Sequence, residues 1–318
     1  MDGNPVLLAE LRREIAAHGG RITFARFMEL ALYHPHGGYY TTGPERIGKR
    51  GDFFTSVSVG PLFGRILARH FQQMRAEMEG FEVVEFGGHR GQLRADVLAV
   101  VPDLPYRILE VGDPLPAAFT GCVFSNEFLD ALPVHRVVGS QEVYVTGDFT
   151  EELGPLSDPR LPRLPAGYRT EINLRALDWL ATVAGRLQQG YILTCDYGFE
   201  RAEYFAPHHA TGHLQCYHRH TKNADPYHHI GEQDITAHVE FTSLMELGAS
   251  LGLETVLFTD QAHYLLKIGE PVIREIVERT AGQLSAERQA IHQLTHPGLM
   301  GRVFKVLLQR TRPAVSQT

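Results

Sequence analysis

Residues 83–93, Val83-Val84-Glu85-Phe86-Gly87-Gly88-His89-Arg90-Gly91-Gln92-Leu93, constrain the fold of this chain more than any other stretch. An apolar run ends beside an acid, glycines follow, and an amphipathic pattern begins. That order predicts a strand, a tight turn with few Cβ atoms and the N-terminus of a helix. Such a turn lets backbone N–H groups approach a nucleotide-like ligand. The acid at the strand end suits a hydroxyl or an ammonium better than a pyrophosphate, which favours a nucleoside cofactor over a dinucleotide. The same pattern also serves as a plain strand-to-helix connection, so the motif does not decide function alone.

The rest of the chain is consistent with an enzyme-sized α/β protein. Its 318 residues hold 43% hydrophobic residues and 31 glycines, enough for one large domain or two modest ones. The net charge of −7 provides no basic field for nucleic acid or an anionic membrane. Apolar runs fall short of the ~18 residues of a membrane span. Residues 1–5 lack the basic and apolar regions of a signal peptide. Three cysteines, Cys122, Cys195 and Cys216, read as reduced thiols, and a cytoplasmic location is expected.

Periodicity predicts helices over 6–17, from Thr23 to about Leu32, and from Gly60-Pro61 to about Glu79. Strands follow at 82–87, 106–111 and 121–125, with a helix at 92–101. A hairpin is expected at 134–138 and 142–145, irregular chain at 151–168, a helix over about 170–189 and an apolar strand over 191–196. Residues 199–240, rich in His, Pro, Gly and Tyr, read as an insertion. Helices at 242–251, 261–268, 271–281 and 285–294 and strands at 254–259 and 302–309 complete the chain. Alternating strands and helices predict a mostly parallel sheet covered on both faces. Ligands of such sheets sit at the carboxyl ends of the strands, where Glu85, Glu110, Asn126 and Asp196 all fall.

Several of these residues carry chemistry. Glu110, about 20 residues past the glycine turn, is placed to accept hydrogen bonds from a ribose diol. Asn126, Glu127 and Asp130 follow a strand. On a short helical turn Glu127 and Asp130 would share a face, where paired carboxylates can hold a guanidinium and accept its proton. First-turn capping is the bland alternative. The loop Gly51-Asp52-Phe53-Phe54-Thr55-Ser56 could close over a cofactor, or its hydroxyls could cap the next turn. Asp196 and Tyr197 could face a substrate. Eight histidines lie between 208 and 238, but no metal-binding motif has the expected spacing, and no metal is expected.

Taken in order, these pieces resemble the MidA family of class I S-adenosylmethionine-dependent methyltransferases, related to a mitochondrial complex I assembly factor. The series runs Ile22-Thr23-Phe24, Tyr33-His34-Pro35 with Gly38-Tyr39-Tyr40, Gly51-Asp52-Phe53 with Thr55-Ser56, and Glu85-x-Gly87 with Gly91. It continues through Asn126-Glu127-Phe128 with Asp130-Ala131-Leu132-Pro133, Asp196-Tyr197-Gly198, Asp234-Ile235-Thr236-Ala237-His238 and Met300-Gly301. The resemblance implies a Rossmann-like methyltransferase sheet with an antiparallel final hairpin. It also implies methyl transfer from S-adenosylmethionine to an arginine of a respiratory complex I subunit. Glu85, Gly87 and Gly91 would line the methionine and ribose side and Glu110 the ribose diol, with Asp52, Thr55 and Ser56 in the covering loop. Asn126, Glu127 and Asp130 would face the methyl acceptor, and Asp196 and Tyr197 the substrate. Residues 1–80 would form an N-terminal helical segment with the covering loop. Residues 81–318 would form the α/β domain, with its insertion at about 199–240. The expected partners are a protein substrate and a second copy in a homodimer, with no nucleic acid and no membrane insertion.

Two departures from the family pattern carry expectations of their own. His89 stands where the family has glycine, so a Cβ enters a turn that favours positive φ. The span from Glu110 to Asn126 is too short for the usual helix and strand, so an edge strand should be missing and the adenine side incomplete. The alternative reading is therefore a catalytically impaired member that acts as a binding or assembly protein. An NAD-dependent oxidoreductase fits less well, since Gly87-Gly88-His89-Arg90-Gly91-Gln92 does not supply G-x-G-x-x-G.

Overall fold

The computed structural model describes residues 2–41, 55–219 and 221–312. Within it the chain divides into two compact units. One draws on residues 1–54, 130–177 and 199–240, the other on 55–129, 178–198 and 241–318. This is not the division at residue 80 expected from the sequence. The helix Leu62–Arg75 packs its buried face in the second unit, and residues 199–240 group with the N-terminal helices. Compact units follow side-chain packing, and each of these is assembled from discontinuous segments.

The second unit is built on strands β1 (Phe81–Phe86), β2 (Tyr106–Leu109), β3 (Phe119–Asn126), β4 (Leu187–Phe199), β5 (Leu253–Asp260) and β6 (Phe304–Thr311). Their order is β5-β6-β4-β3-β1-β2. The pairs β1–β2, β1–β3 and β3–β4 are parallel, and β6 runs antiparallel between β4 and β5. This is the class I methyltransferase architecture with its antiparallel final hairpin. No strand lies between Leu109 and Phe119, so β2 is the edge. The expected loss of the outer strand is what the short span produces.

Apolar runs explain why these strands are central. Val83, Val84, Cys122, Val123, Phe124, Ile192, Leu193 and Cys195 are all essentially inaccessible, as a strand covered on both faces requires. Helices α1 (Leu62–Arg75) and α2 (Gln92–Leu98) bury Phe63, Leu67, Phe71, Leu93 and Val97 in the same core. At ~25 cal/mol per Å2 of apolar surface, a core of this kind dominates the folding free energy. Helix Leu174–Ala184 precedes β4, and Phe241–Ser250 and Gln261–Ile268 flank β5.

Register sets the position of the site. Phe86 lies opposite Leu109 and Ser125, and Asn126 lies opposite Cys195. Glu85, Glu110 and Glu127 therefore lie at the carboxyl ends of β1, β2 and β3, level with the buried Asp196 of β4.

The first unit holds helices Pro5–Ala17 and Phe24–Tyr33 and two antiparallel sheets. The hairpin His135–Val138 and Gln141–Thr146 forms as expected, but in a sheet with Arg21–Thr23, Glu151–Gly154 and Arg169–Ile172. Two expectations fail here. Residues 151–168 are not wholly irregular, and the helix expected from 170 starts only at Leu174, because Arg169–Ile172 takes the free edge beside His135–Val138. Residues 199–240 hold the strands Leu214–His218, Thr221–Asn223 and Asp234–Ala237. The three cysteines are all buried and free. Among the described residues no helix is long and apolar enough to cross a membrane.

Candidate active site

Gly87 and Gly91 both hold positive φ, at 71° and 72°. A Cβ on Gly87 would come within 2.9 Å of the Phe128 ring, and one on Gly88 within 2.8 Å of the Glu85 carboxylate. The turn is therefore closed to side chains at these two points. His89 is left-handed as well, at φ 46°. A left-handed residue with a Cβ costs ~1–2 kcal/mol. Its N–H donates to Glu110 Oε1 at 2.7 Å, which ties the turn to the end of β2. The side chain of His89 is exposed, so the expected cost falls on the backbone.

Glu85 is buried, and its Oε2 accepts the Tyr106 hydroxyl at 2.9 Å. Burial raises its pKa to about 7, against the pull of that hydrogen bond and with a contribution from the Glu110 charge. Glu110 is exposed. Partial desolvation of its carboxylate by the adjoining turn raises its pKa, the His89 N–H opposes that rise, and the Asp113 charge adds to it.

Glu127 is tightly constrained. It is a non-glycine residue at φ 51°, directly after β3. Contacts with a single strand, β4, hold it there. Its N–H donates to the Cys195 carbonyl at 2.9 Å. The Phe128 and Leu129 N–H groups donate to Asp196 Oδ2 at 3.2 and 2.9 Å, and the Tyr197 N–H donates to Asp196 Oδ1 at 2.9 Å. A sparsely populated conformation persists only where its surroundings over-determine it, and such residues cluster at functional sites.

The Glu127 carboxylate is correspondingly fixed. Oε1 accepts the Ser56 N–H at 3.1 Å and the Asn126 side-chain N–H at 3.0 Å, and Oε2 faces the Tyr197 hydroxyl at 3.4 Å. Burial first, and then the Asp196 charge, raise its pKa to about 8, although all three donors favour the ionised form. Asn126 Oδ1 is buried and has no hydrogen-bond partner among the described residues. A buried acceptor left open beside a carboxylate suits an incoming N–H donor.

The other expected site residues fall differently. Thr55 and Ser58 bond each other reciprocally, side chain to backbone, so the Thr55 hydroxyl caps its own turn. Ser56 is fully buried and donates to Gln261 Oε1, while Gln261 donates to the Leu294 carbonyl. Asp196 is fully buried and spends its carboxylate on three backbone donors, which makes it a support for Glu127. Tyr197 packs against Phe304 with the rings tilted by 36° and their centroids 4.1 Å apart. Asp52 lies outside the described residues. The helical turn that would set Glu127 and Asp130 on one face is absent, because residue 127 is left-handed. Asp130 is buried in the first unit, where its charge adds to the raised pKa of Tyr40 and Tyr217, and its carbonyl accepts the Ala237 N–H.

Sequence reasoning missed Gln261, Tyr106 and Trp179. Trp179, the chain's single tryptophan, packs on Phe86 and Phe128 at 5.4 and 5.9 Å. Its uniqueness was the only available signal, whereas Gln261 and Tyr106 carried none.

A family model described as "Putative S-adenosyl-L-methionine-dependent methyltransferase" matches residues 107–259. A Burkholderia thailandensis protein, described as a likely methyl transferase and crystallised with S-adenosyl-homocysteine, has a TM-score of 0.90 and 32% identity. The match covers 98% of this chain and 95% of that one. A native crystal structure of an uncharacterized Burkholderia thailandensis protein matches at TM-score 0.86 with the same identity and coverage. The protein arginine methyltransferase NDUFAF7, mitochondrial, of Rattus norvegicus is 25% identical over 363 residues, covering 90% of this chain and 80% of its own.

Proposed function

The chain belongs to the MidA family of S-adenosylmethionine-dependent methyltransferases, and from that membership we propose that it methylates an arginine side chain of a protein. The residues present fit the cofactor. The Cβ-poor turn at Gly87 and Gly88 leaves backbone exposed, Glu110 stands at the strand end with its carboxylate at the surface, and Asn126 offers a buried acceptor that is open among the described residues. The cofactor supplies an activated methyl group on a sulfonium sulfur. Glu110, Gly87 and Gly91 would hold its ribose and methionine side.

The observation that carries the reading is the Glu127 carboxylate, locked in a left-handed turn and kept weakly acidic. A guanidinium stays protonated in water, so methylation must release a proton. A fixed carboxylate can orient the planar group through two N–H donors and receive that proton. A base with a pKa near the working pH combines availability with driving force. Asn126 Oδ1 would accept a further N–H. Two of the donors on Glu127, from Ser56 and Asn126, converge on Oε1 and leave Oε2 the freer oxygen. The enzyme's contribution is mainly positioning and electrostatics. The name of the rat relative supports an arginine acceptor, and a respiratory complex I subunit is the first candidate.

The test incubates the protein with methyl-labelled S-adenosylmethionine and complex I subunits, and maps label by mass spectrometry. Label on arginine, lost in Glu127→Gln with S-adenosylhomocysteine affinity retained, supports the reading. Label on another residue type, or full turnover in Glu127→Gln, refutes it. Cofactor binding with no acceptor among cellular proteins would favour the binding-protein alternative.

A further inference from the structure

Away from this site, the first unit brings three ligand-bearing side chains to one point. Glu203 lies in the helical turn Arg201–Tyr204, and His208 and His209 lie in the 3-10 turn Pro207–His209. Glu203 Oε1 is 2.8 Å from His208 Nε2 and 3.6 Å from His209 Nε2. All three donor atoms lie within 4.8 Å of one another. We propose that Glu203, His208 and His209 form a site for a divalent transition metal of the zinc type, with its remaining coordination open to solvent.

Bonds of ~2.0–2.1 Å in a tetrahedral shell place neighbouring ligand atoms about 3.3 Å apart. The two distances from Glu203 Oε1 bracket that value, and rotation of the largely exposed His208 side chain can bring its nitrogen, already within 4.8 Å of that of His209, into the same shell. One carboxylate and two imidazoles form a known zinc ligand set, and the open position matches sites that keep a water.

The backbone is already arranged for it. The Glu203 and Tyr204 N–H groups donate to the Glu200 carbonyl at 3.1 and 2.8 Å, and the His209 N–H donates to the Ala206 carbonyl at 2.8 Å. Pro207 fixes φ at the start of the second turn. Phe199 lies against His209 at 5.0 Å, and His213 packs on its ring at 4.6 Å. His213 itself is buried, with its Nε2 held by the Tyr204 carbonyl at 2.9 Å. It thus walls the site and leaves the ligation to His209.

The simpler account is a surface ion pair between an acid and two histidines, with Glu203 and His208 largely exposed. Metal titration separates the two, because only a metal site binds one equivalent and selects by element. The stability order for first-row ions predicts Cu2+ as the tightest binder and Co2+ below Ni2+, a tetrahedral site suits Zn2+, and the imidazole ligands predict no measurable Mg2+ binding.

The experiment titrates the untagged full-length protein, treated with chelator and then freed of it, with Zn2+ by calorimetry. Co2+ absorption reports coordination geometry in parallel. The expected result is one equivalent bound, intense tetrahedral Co2+ bands, and affinity weakened at least ~10-fold by each of Glu203→Gln, His208→Ala and His209→Ala. The variant His218→Ala/His229→Ala, at a separate stacked pair, should bind like the parent. Equal binding by parent and the triple variant Glu203→Gln/His208→Ala/His209→Ala, including no binding by either, overturns the proposal. The readout needs no methyl transfer, so it stands or fails independently of the proposed activity.

Discussion

Removing Asp196 should unlatch Glu127, and the structure sets the size of the effect. The Asp196 carboxylate is fully buried and accepts three backbone N–H groups, from Phe128, Leu129 and Tyr197. Asp196→Ala leaves all three donors in a buried place. Each unsatisfied donor costs ~1–3 kcal/mol, and water entry offsets part of the sum, so the variant should lose about 3–5 kcal/mol. That is a large share of a typical stability of ~5–15 kcal/mol. Asp196→Asn should cost less, about 1–2 kcal/mol, because its amide oxygen keeps Phe128 and Leu129 while its NH2 faces the Tyr197 donor. Both changes also remove a negative charge that raises the pKa of Glu127, so its titration should move down from about 8. Urea unfolding followed by tryptophan fluorescence is the assay. Trp179 is the chain's single tryptophan and packs on Phe128, so it reports on the same unit. A loss below ~1 kcal/mol in Asp196→Ala would show that the turn holds without Asp196, and equal losses in the two variants would refute the role given to the accepting oxygen.

Three further outcomes follow from the same geometry. Glu85 has a folded pKa raised to about 7 from 4.5, so folding takes up a proton between those values; its contribution is fully present below pH 4.5 and lost as pH rises through 7. Glu85→Gln, measured without cofactor, should gain up to ~3 kcal/mol over the parent at pH 8.5 and nothing at pH 4, and a pH-independent difference would sink this reading. His89→Gly should stabilise by about 0.5–1 kcal/mol, since glycine accepts φ 46° without steric cost; a lower melting temperature would contradict the strain assigned to His89. For the proposed activity, turnover should rise with pH toward a limb near 8 set by Glu127, and an unchanged profile in Asp196→Asn would remove Glu127 as its origin.

The legible parts of this chain were those written in local pattern. The run 83–93 predicted β1, its turn and α2, with helix bounds at 92–101 against the observed Gln92–Leu98. The helix at 261–268 and the strands around 254–259 and 302–309 appear within two residues of expectation. The missing outer strand followed from counting residues between Glu110 and Asn126. The helix expected at 170–189 was wrong at both ends, because Arg169–Ile172 and residues 187–189 are claimed by strand partners distant in sequence. Among the candidate site residues, strand-end position brought Glu85, Glu110, Asn126 and Glu127 to the carboxyl ends of the strands, level with Asp196. Their roles then diverged, with Asp196 and Thr55 committed to backbone and Asp130 belonging to the other unit.

By itself the sequence determined the sheet's strands, the glycine turn and the residues at the strand ends. Period-two and period-3.6 patterns, glycine conformational freedom and strand-terminal acids are local properties that no distant contact needs to supply. Only the tertiary structure decided which acid would be free and which would be spent. That depends on register, which sets Asn126 against Cys195 and so brings the Asp196 carboxylate to the amides that follow Glu127. The left-handed turn at Glu127, its raised pKa, the open acceptor on Asn126 and the meeting of Glu203 with His208 and His209 all arise the same way. Burial and hydrogen-bond partners come from segments far apart in the chain or from the path of an irregular loop, and neither is encoded in residue spacing.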